Sequence, residues 1–158
     1  MSVIKSVDVA IKANRQQMTI TYRNSLEGID WTQVSGIFRS VRWEYRDPKN
    51  LCRAFNTSAY VSFAFAEDQL VGFGRTLDDG EFYAMIVDLA ILPAFQGQGI
   101  GRTILAELRD KLDGFIFTSL ISAPGKEAFY SSQGWYKQKS AFIWPRTETQ
   151  KQEHTQGF

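Results

Sequence analysis

The chain has 158 residues, of which 44% are hydrophobic and 22% charged, with 18 Lys and Arg against 17 Asp and Glu. These values exclude a disordered chain, and a net charge of +1 gives no reason to expect a nucleic-acid surface. The length suits one domain that buries about two-thirds of its unfolded surface without a metal or disulfide staple.

Cys52 is the only cysteine, so no internal disulfide can form. Charges at Lys5, Asp8, Lys12 and Arg15 interrupt the N-terminal segment, which reads as neither a signal peptide nor a membrane span. The expected location is the cytoplasm. Residues 17–23 alternate and are rich in Thr and Tyr, which predicts a strand. Asp30 is placed to cap a helix carrying Trp31, Val34, Ile37, Phe38 and Val41 at helical spacing. Pro48, after Asp47, suits the first turn of a second helix, with Leu51, Cys52 and Phe55 on one side. Segments 59–68, 69–79 and 81–92 then form an antiparallel meander, and the third is apolar enough to lie deep in a sheet. Ile100, Ile104, Leu105, Leu108 and Leu112 define a helix face. Residues 115–122 follow as a buried strand, in a crossover that implies a parallel pair. Pro124 and Gly134 bracket a short helix. Residues 135–145 read as two last short strands or one bent one, and residues 147–158 as a polar tail beyond a domain of residues 1–146.

The most informative stretch is Leu89–Arg102. An apolar strand meets Pro93, then Gly97, Gly99 and Gly101 alternate with Gln98 and Ile100, and a helix begins at once. The first turn of a helix has unpaired N–H groups and partial positive charge. Glycines let a phosphate approach that backbone, so the pattern predicts an anion cradle. It is neither the dinucleotide fingerprint nor a lysine-bearing phosphate loop.

Here the residues carry a family resemblance. Gln96-Gly97-Gln98-Gly99-Ile100-Gly101 resembles the Gln/Arg-x-x-Gly-x-Gly/Ala signature of the GNAT superfamily of acetyl-CoA-dependent N-acetyltransferases. The strand before it, Val87–Pro93, and the later Phe129–Trp135 resemble two further segments of that family, and the order of elements matches from about residue 17 to 145. Asp47–Leu51 resembles small bacterial and plastid-type members. The resemblance implies a mixed, mostly antiparallel α/β sheet with flanking helices and a splayed parallel strand pair.

It also implies roles for particular residues. Pantetheine would pair with backbone groups of Leu89, Ala90 and Ile91. The pyrophosphate would rest on the loop from Gln96 through Gly97, Gln98, Gly99, Ile100, Gly101 and Arg102, and Lys126 could reach a phosphate. Tyr130 falls where many members keep a tyrosine that protonates the departing thiolate, as a phenol at hydrogen-bond distance can. The glutamate that many members use as base is absent, because Met85, Ile86 and Val87 occupy that neighbourhood. Asp88 is the only carboxylate in the middle of that strand. It is a candidate proton acceptor through water, an ammonium anchor, or a structural carboxylate bonded to its neighbours.

The implied reaction is direct acetyl transfer to a primary amine of a small molecule or peptide, with acetyl-CoA as cosubstrate and no metal, nucleic-acid or membrane partner. Trp31, Phe38, Trp43, Tyr45, Phe142 and Trp144 lie in segments that meet the acceptor in this family, although core packing accounts for most such aromatics. The same family often pairs through its last strands, which makes residues 141–145 a candidate homodimer contact. Three other readings stay open: a non-catalytic CoA-binding module, an acyltransferase for a longer acyl-CoA, and a nucleotide-binding domain of another fold.

Overall fold

The computed structural model describes residues 18–155. The reading of the N-terminal segment, and Gln17 of the first predicted strand, lie outside them. Strand β1 (Ile20–Arg23) is followed by two helices whose starts are fixed by acidic caps. Asp30 accepts the Thr32 N–H at 2.9 Å and starts α1 (Trp31–Ser40). Asp47 accepts from Lys49 at 2.9 Å and Asn50 at 3.3 Å and starts α2 (Pro48–Asn56), with Pro48 in the first turn. Such caps satisfy N–H groups that the helix itself leaves orphaned.

The meander forms as predicted from β2 (Val61–Ala66), β3 (Gln69–Asp78) and β4 (Tyr83–Ile91). Asp79 closes the β3–β4 turn by accepting N–H groups of Glu81, Phe82 and Tyr83 at 3.0, 2.7 and 3.0 Å. Those bonds, the one from Glu81 first, hold its carboxyl below the usual carboxylate range. A 3-10 turn (Pro93–Phe95), α3 (Ile100–Lys111) and β5 (Phe117–Leu120) complete the crossover. The sheet order is β1-β2-β3-β4-β5. The first three pairings are antiparallel, and β5 adds the parallel pair that makes the sheet mixed.

Alternation along β3 divides the two faces. Phe73 points into a core with Phe38, Phe55 and Phe63, ring to ring at 5.1–6.5 Å, beneath α1 and α2. Trp31 packs its ring on Phe55 at 5.3 Å. Gly72 and Gly74 point the other way, and there is no room for more than hydrogen. A Cβ at Gly74 would lie 2.9 Å from both Ile104 and Leu108 of α3. The missing side chains let α3 lie close to the sheet, with Ile100, Ile104, Leu105 and Leu108 fully buried. Each such burial is worth about 1.5–3 kcal/mol.

The chain divides into two compact units, the first running to Ser119 and the second starting at Leu120. In the second unit, α4 (Glu127–Ser132) ends before Gly134, which takes φ 83°.

Three expectations are corrected. The strand predicted over residues 115–122 is only four residues long and is not deeply buried, with Ile116, Phe117 and Ile121 exposed. It lies at the end of the sheet, so it has one strand neighbour. Residues 135–145 form no strand. Among the described residues, no backbone N–H from 136 to 145 reaches a backbone carbonyl, and a strand needs a pairing partner. Phe142 and Trp144 are accordingly 89% and 83% exposed. Finally, the polar tail contains a helix, α5 (Glu148–His154). Gln150 donates its N–H to Thr147 Oγ1 at 3.0 Å and accepts the Arg146 N–H on its side chain at 2.7 Å. Thr147-x-x-Gln150 has the capping-box spacing, with the Gln150 side chain taking the N–H of Arg146, one residue before the cap, and these two bonds start a helix that has no apolar face.

Candidate active site

In the first unit, β3 and β4 pair regularly until Phe73, which faces Ala90, while Arg75 faces Val87. Two residues of β4, Asp88 and Leu89, therefore stand against Gly74 alone. Asp88 takes up the extra length at φ 56°, in the left-handed region that most side chains avoid. A bulge of this kind interrupts the hydrogen-bond ladder and increases the local twist.

The Asp88 carboxylate is spent on two arginines. Arg75 Nε donates to one oxygen at 2.7 Å and Arg46 Nη1 to the other at 2.7 Å. The side chain of Asp88 is 8% exposed, that of Arg75 11% and that of Arg46 40%. Arg75 also donates to Ala54 O at 3.4 Å and Ser58 Oγ at 3.3 Å, at the end of α2, and lies over the Phe55 ring. Arg46 lies 4.2 Å from the Phe38 ring centre, and its carbonyl accepts the Ser35 hydroxyl at 2.7 Å. One carboxylate thus ties β4 to β3, α1 and α2. Neither arginine is marked by a motif in the sequence.

Beyond β4 the chain doubles back, and two glutamines brace the loop. Gln96 Nε2 donates to Ile91 O at 2.9 Å, and Gln98 Nε2 donates to Ala94 O at 3.2 Å. Gly97 and Gly99 take φ 74° and 84°, and Gly99 is the N-cap of α3. No side chain caps the helix. Thr103 is the first residue whose N–H bonds back, to Gly99 O at 3.0 Å. Among the described residues, the N–H groups of Gly97, Gln98, Gly99, Ile100, Gly101 and Arg102 have no partner outside the helix. The space where a Cβ of Gly97 or Gly99 would sit is open for 4 Å. A row of free donors at the positive end of a twelve-residue helix fits a phosphate group. Arg102, in the first turn, is exposed. The backbone of Leu89, Ala90 and Ile91 leads directly into this loop.

In the second unit, Tyr130 lies on α4, half-buried, its ring at 5.1 Å from that of Phe129. Burial raises its phenol above the ordinary tyrosine range. Lys126 is the exposed N-cap of the same helix. Of the aromatics considered for an acceptor, Phe38 belongs to the core of the first unit and Trp31 and Trp43 pack on it, whereas Tyr45 is exposed. No group of three or more potential metal ligands occurs among the described residues. No helix among them is long and apolar enough to cross a membrane.

The comparisons with known proteins decide the family. The model described as "Acetyltransferase (GNAT) domain" matches residues 27–144. The chain belongs to the GNAT acetyltransferase family. An uncharacterised N-acetyltransferase of the ycf52-like type from Prochlorococcus marinus is 30% identical over 131 residues, covering 78% of this chain and 71% of the relative. Serotonin N-acetyltransferase 2, chloroplastic, of Oryza sativa is 31% identical over 121 residues, covering 72% of this chain and 60% of the relative. Among solved structures, a GNAT acetyltransferase from Streptococcus pneumoniae is 25% identical with a TM-score of 0.70, covering 81% of this chain and 98% of that one. A Staphylococcus aureus protein at 17% identity shares the fold with a TM-score of 0.72, covering 82% of this chain and 100% of that one. The GNAT chain described above is an acyltransferase of the acyl-CoA-dependent N-acetyl class.

Proposed function

We propose that the protein transfers an acetyl group from acetyl-CoA to a primary amine by direct attack within a ternary complex. The observation that carries this reading is the unpaired N–H row of residues 97–102, continuous with a bulged β4. When bound, acetyl-CoA supplies the thioester that is cleaved. The glycine-loop donors would hold its pyrophosphate, with Arg102 adding positive charge, and backbone groups of Leu89, Ala90 and Ile91 would carry the pantetheine arm. Held at both ends, the reacting carbonyl is presented in one orientation, which removes much of the entropic part of the barrier.

Tyr130 donates the proton that the leaving sulfur needs. Burial raises the phenol, so it keeps that proton at neutral pH. The acceptor amine resembles lysine in its ordinary pKa and must lose a proton before it attacks. The name of the rice relative makes an indole ethylamine the first acceptor to test on this chain.

The deciding experiment is release of free CoA over a panel of an indole ethylamine, a polyamine, an aminoglycoside and a peptide, with acetyl-CoA and a longer acyl-CoA compared. Turnover with one amine and preference for acetyl-CoA is expected. Acetyl-CoA binding without turnover across the panel would point to a binding module instead. Tyr130→Phe is expected to lower kcat by about a hundredfold or more with the acetyl-CoA affinity retained. An unchanged kcat and pH profile would remove Tyr130 from the chemistry.

A further inference from the structure

The carboxylate at the β4 bulge admits a sharper reading than a catalytic or structural acid. We propose that Asp88 is a positioning residue: through Arg75 and Arg46 it holds the bulge that presents the peptide groups of Leu89, Ala90 and Ile91 to the pantetheine arm. This rests on the reading of β4 given under Proposed function.

Three observations carry it. First, both carboxylate oxygens are engaged at 2.7 Å by different arginines, which leaves neither free of a cationic donor to receive a proton or hold an ammonium group. Two guanidiniums against one carboxylate also leave a net positive charge there, which repels a protonated amine. Second, Asp88 is the residue that absorbs the register shift, at φ 56°. Left-handed backbone costs a side chain about 1–2 kcal/mol per residue, least for Asp and Asn, so the conformation persists only if its surroundings fix it. The two arginines are those surroundings. Third, the arginines are themselves fixed. Arg75 is bonded to the end of α2 and lies over Phe55, and Arg46 lies over Phe38 with its carbonyl held by Ser35 of α1. The bulge is thereby referenced to the rigid aromatic core rather than to the exposed loop that follows it.

The distinguishing feature is the ligand half affected. Asp88 acts on the strand that takes the arm, whereas the glycine loop that takes the phosphates is braced separately by Gln96 and Gln98. The test compares titration of acetyl-CoA with that of phospho-ADP, the nucleotide half of CoA, against wild type, Asp88→Asn, Asp88→Ala and Arg46→Ala. Asn tolerates the left-handed backbone and keeps one acceptor oxygen, so Asp88→Asn is expected to weaken acetyl-CoA by only about twofold to threefold. Asp88→Ala keeps neither and is expected to weaken it by about tenfold or more, a loss of about 1.4 kcal/mol or more. Phospho-ADP should bind all variants alike. Hydrogen exchange at the Leu89–Ile91 amides of the ligand-free chain should accelerate in the same order. That readout tests whether Asp88 holds the bulge even if wild type fails to bind acetyl-CoA, a result that would sink the functional reading and the ligand half of this proposal with it.

Equal acetyl-CoA affinity and equal exchange in all variants would overturn the proposal. So would a loss of turnover of about a hundredfold in Asp88→Asn with binding unchanged, the mark of a proton acceptor. If Asp88→Ala does not fold, Arg46→Ala removes a half-exposed partner instead. It is expected to weaken acetyl-CoA a few-fold with phospho-ADP unaffected, and parallel weakening of both ligands would count against the idea.

Discussion

Two pairs of glycines in the first unit serve opposite purposes. Gly72 and Gly74 in β3 are crowded: an added Cβ would meet Ile91 at 2.5 Å in one case, and Ile104 and Leu108 at 2.9 Å in the other. Their backbone is ordinary extended strand, and what matters is the absence of a side chain under α3. Gly97 and Gly99 stand in open space, and what matters is their positive φ, 74° and 84°. One pair therefore sets how closely the helix lies on the sheet, and the other sets how its first turn is presented to a ligand. A glycine-rich sequence by itself does not distinguish packing from presentation.

Substitutions can break that contrast. The largest effect is expected for Gly74→Val, which forces stiff buried neighbours apart. It should lower stability by about 1–3 kcal/mol, seen as a fall in Tm, and weaken acetyl-CoA only as far as α3 shifts. A variant with unchanged Tm would show that the α3 packing is looser than described. Next comes Gly99→Val, where strain at φ 84° is expected to cost about 1–2 kcal/mol. Here binding and stability should part company: acetyl-CoA affinity should drop by about tenfold or more in a chain that still folds. If affinity holds while Tm falls, the loop is a turn and not a cradle. The smallest effect belongs to a third kind of glycine. Gly36 lies in α1, exposed, with nothing within 4 Å and no positive φ. Gly36→Ala should stabilise the protein by about 0.4–1 kcal/mol without touching ligand affinity, and a loss of stability would imply an unseen neighbour.

The same division governs what could be read from the sequence. Asp30 and Asp47 cap helices where their positions announced it, because a cap is a local bond between a side chain and the next turn. The meander and the glycine loop were legible for the same reason. The link between Asp88 and its two arginines was not, since it depends on where β4 gains a residue relative to β3, and strand register is a property of two segments. Residues 135–145 have strand-like composition, but composition does not supply a partner. The α5 helix carries its signal in Thr147 and Gln150, two polar residues that look like tail until the cap they build is considered. Tyr130 was singled out by motif. Its burial and raised phenol depend on packing, which no local pattern encodes.

Strand order in the sheet follows strand order in the chain, β1 to β5 without a swap. The β2–β3 and β3–β4 neighbours are each reached through a short turn, so loop-closure entropy is small for those two hairpins, whereas β1 meets β2 only across α1 and α2. After the meander, β5 must wait for α3 to be laid down first. On a ribosome the meander and its aromatic core can pair as they emerge, while the glycine loop and α3 are still being made. The scaffold that shapes β4 is thus expected to exist before the parts that grip a ligand, so that acetyl-CoA meets a surface completed last upon a frame completed first.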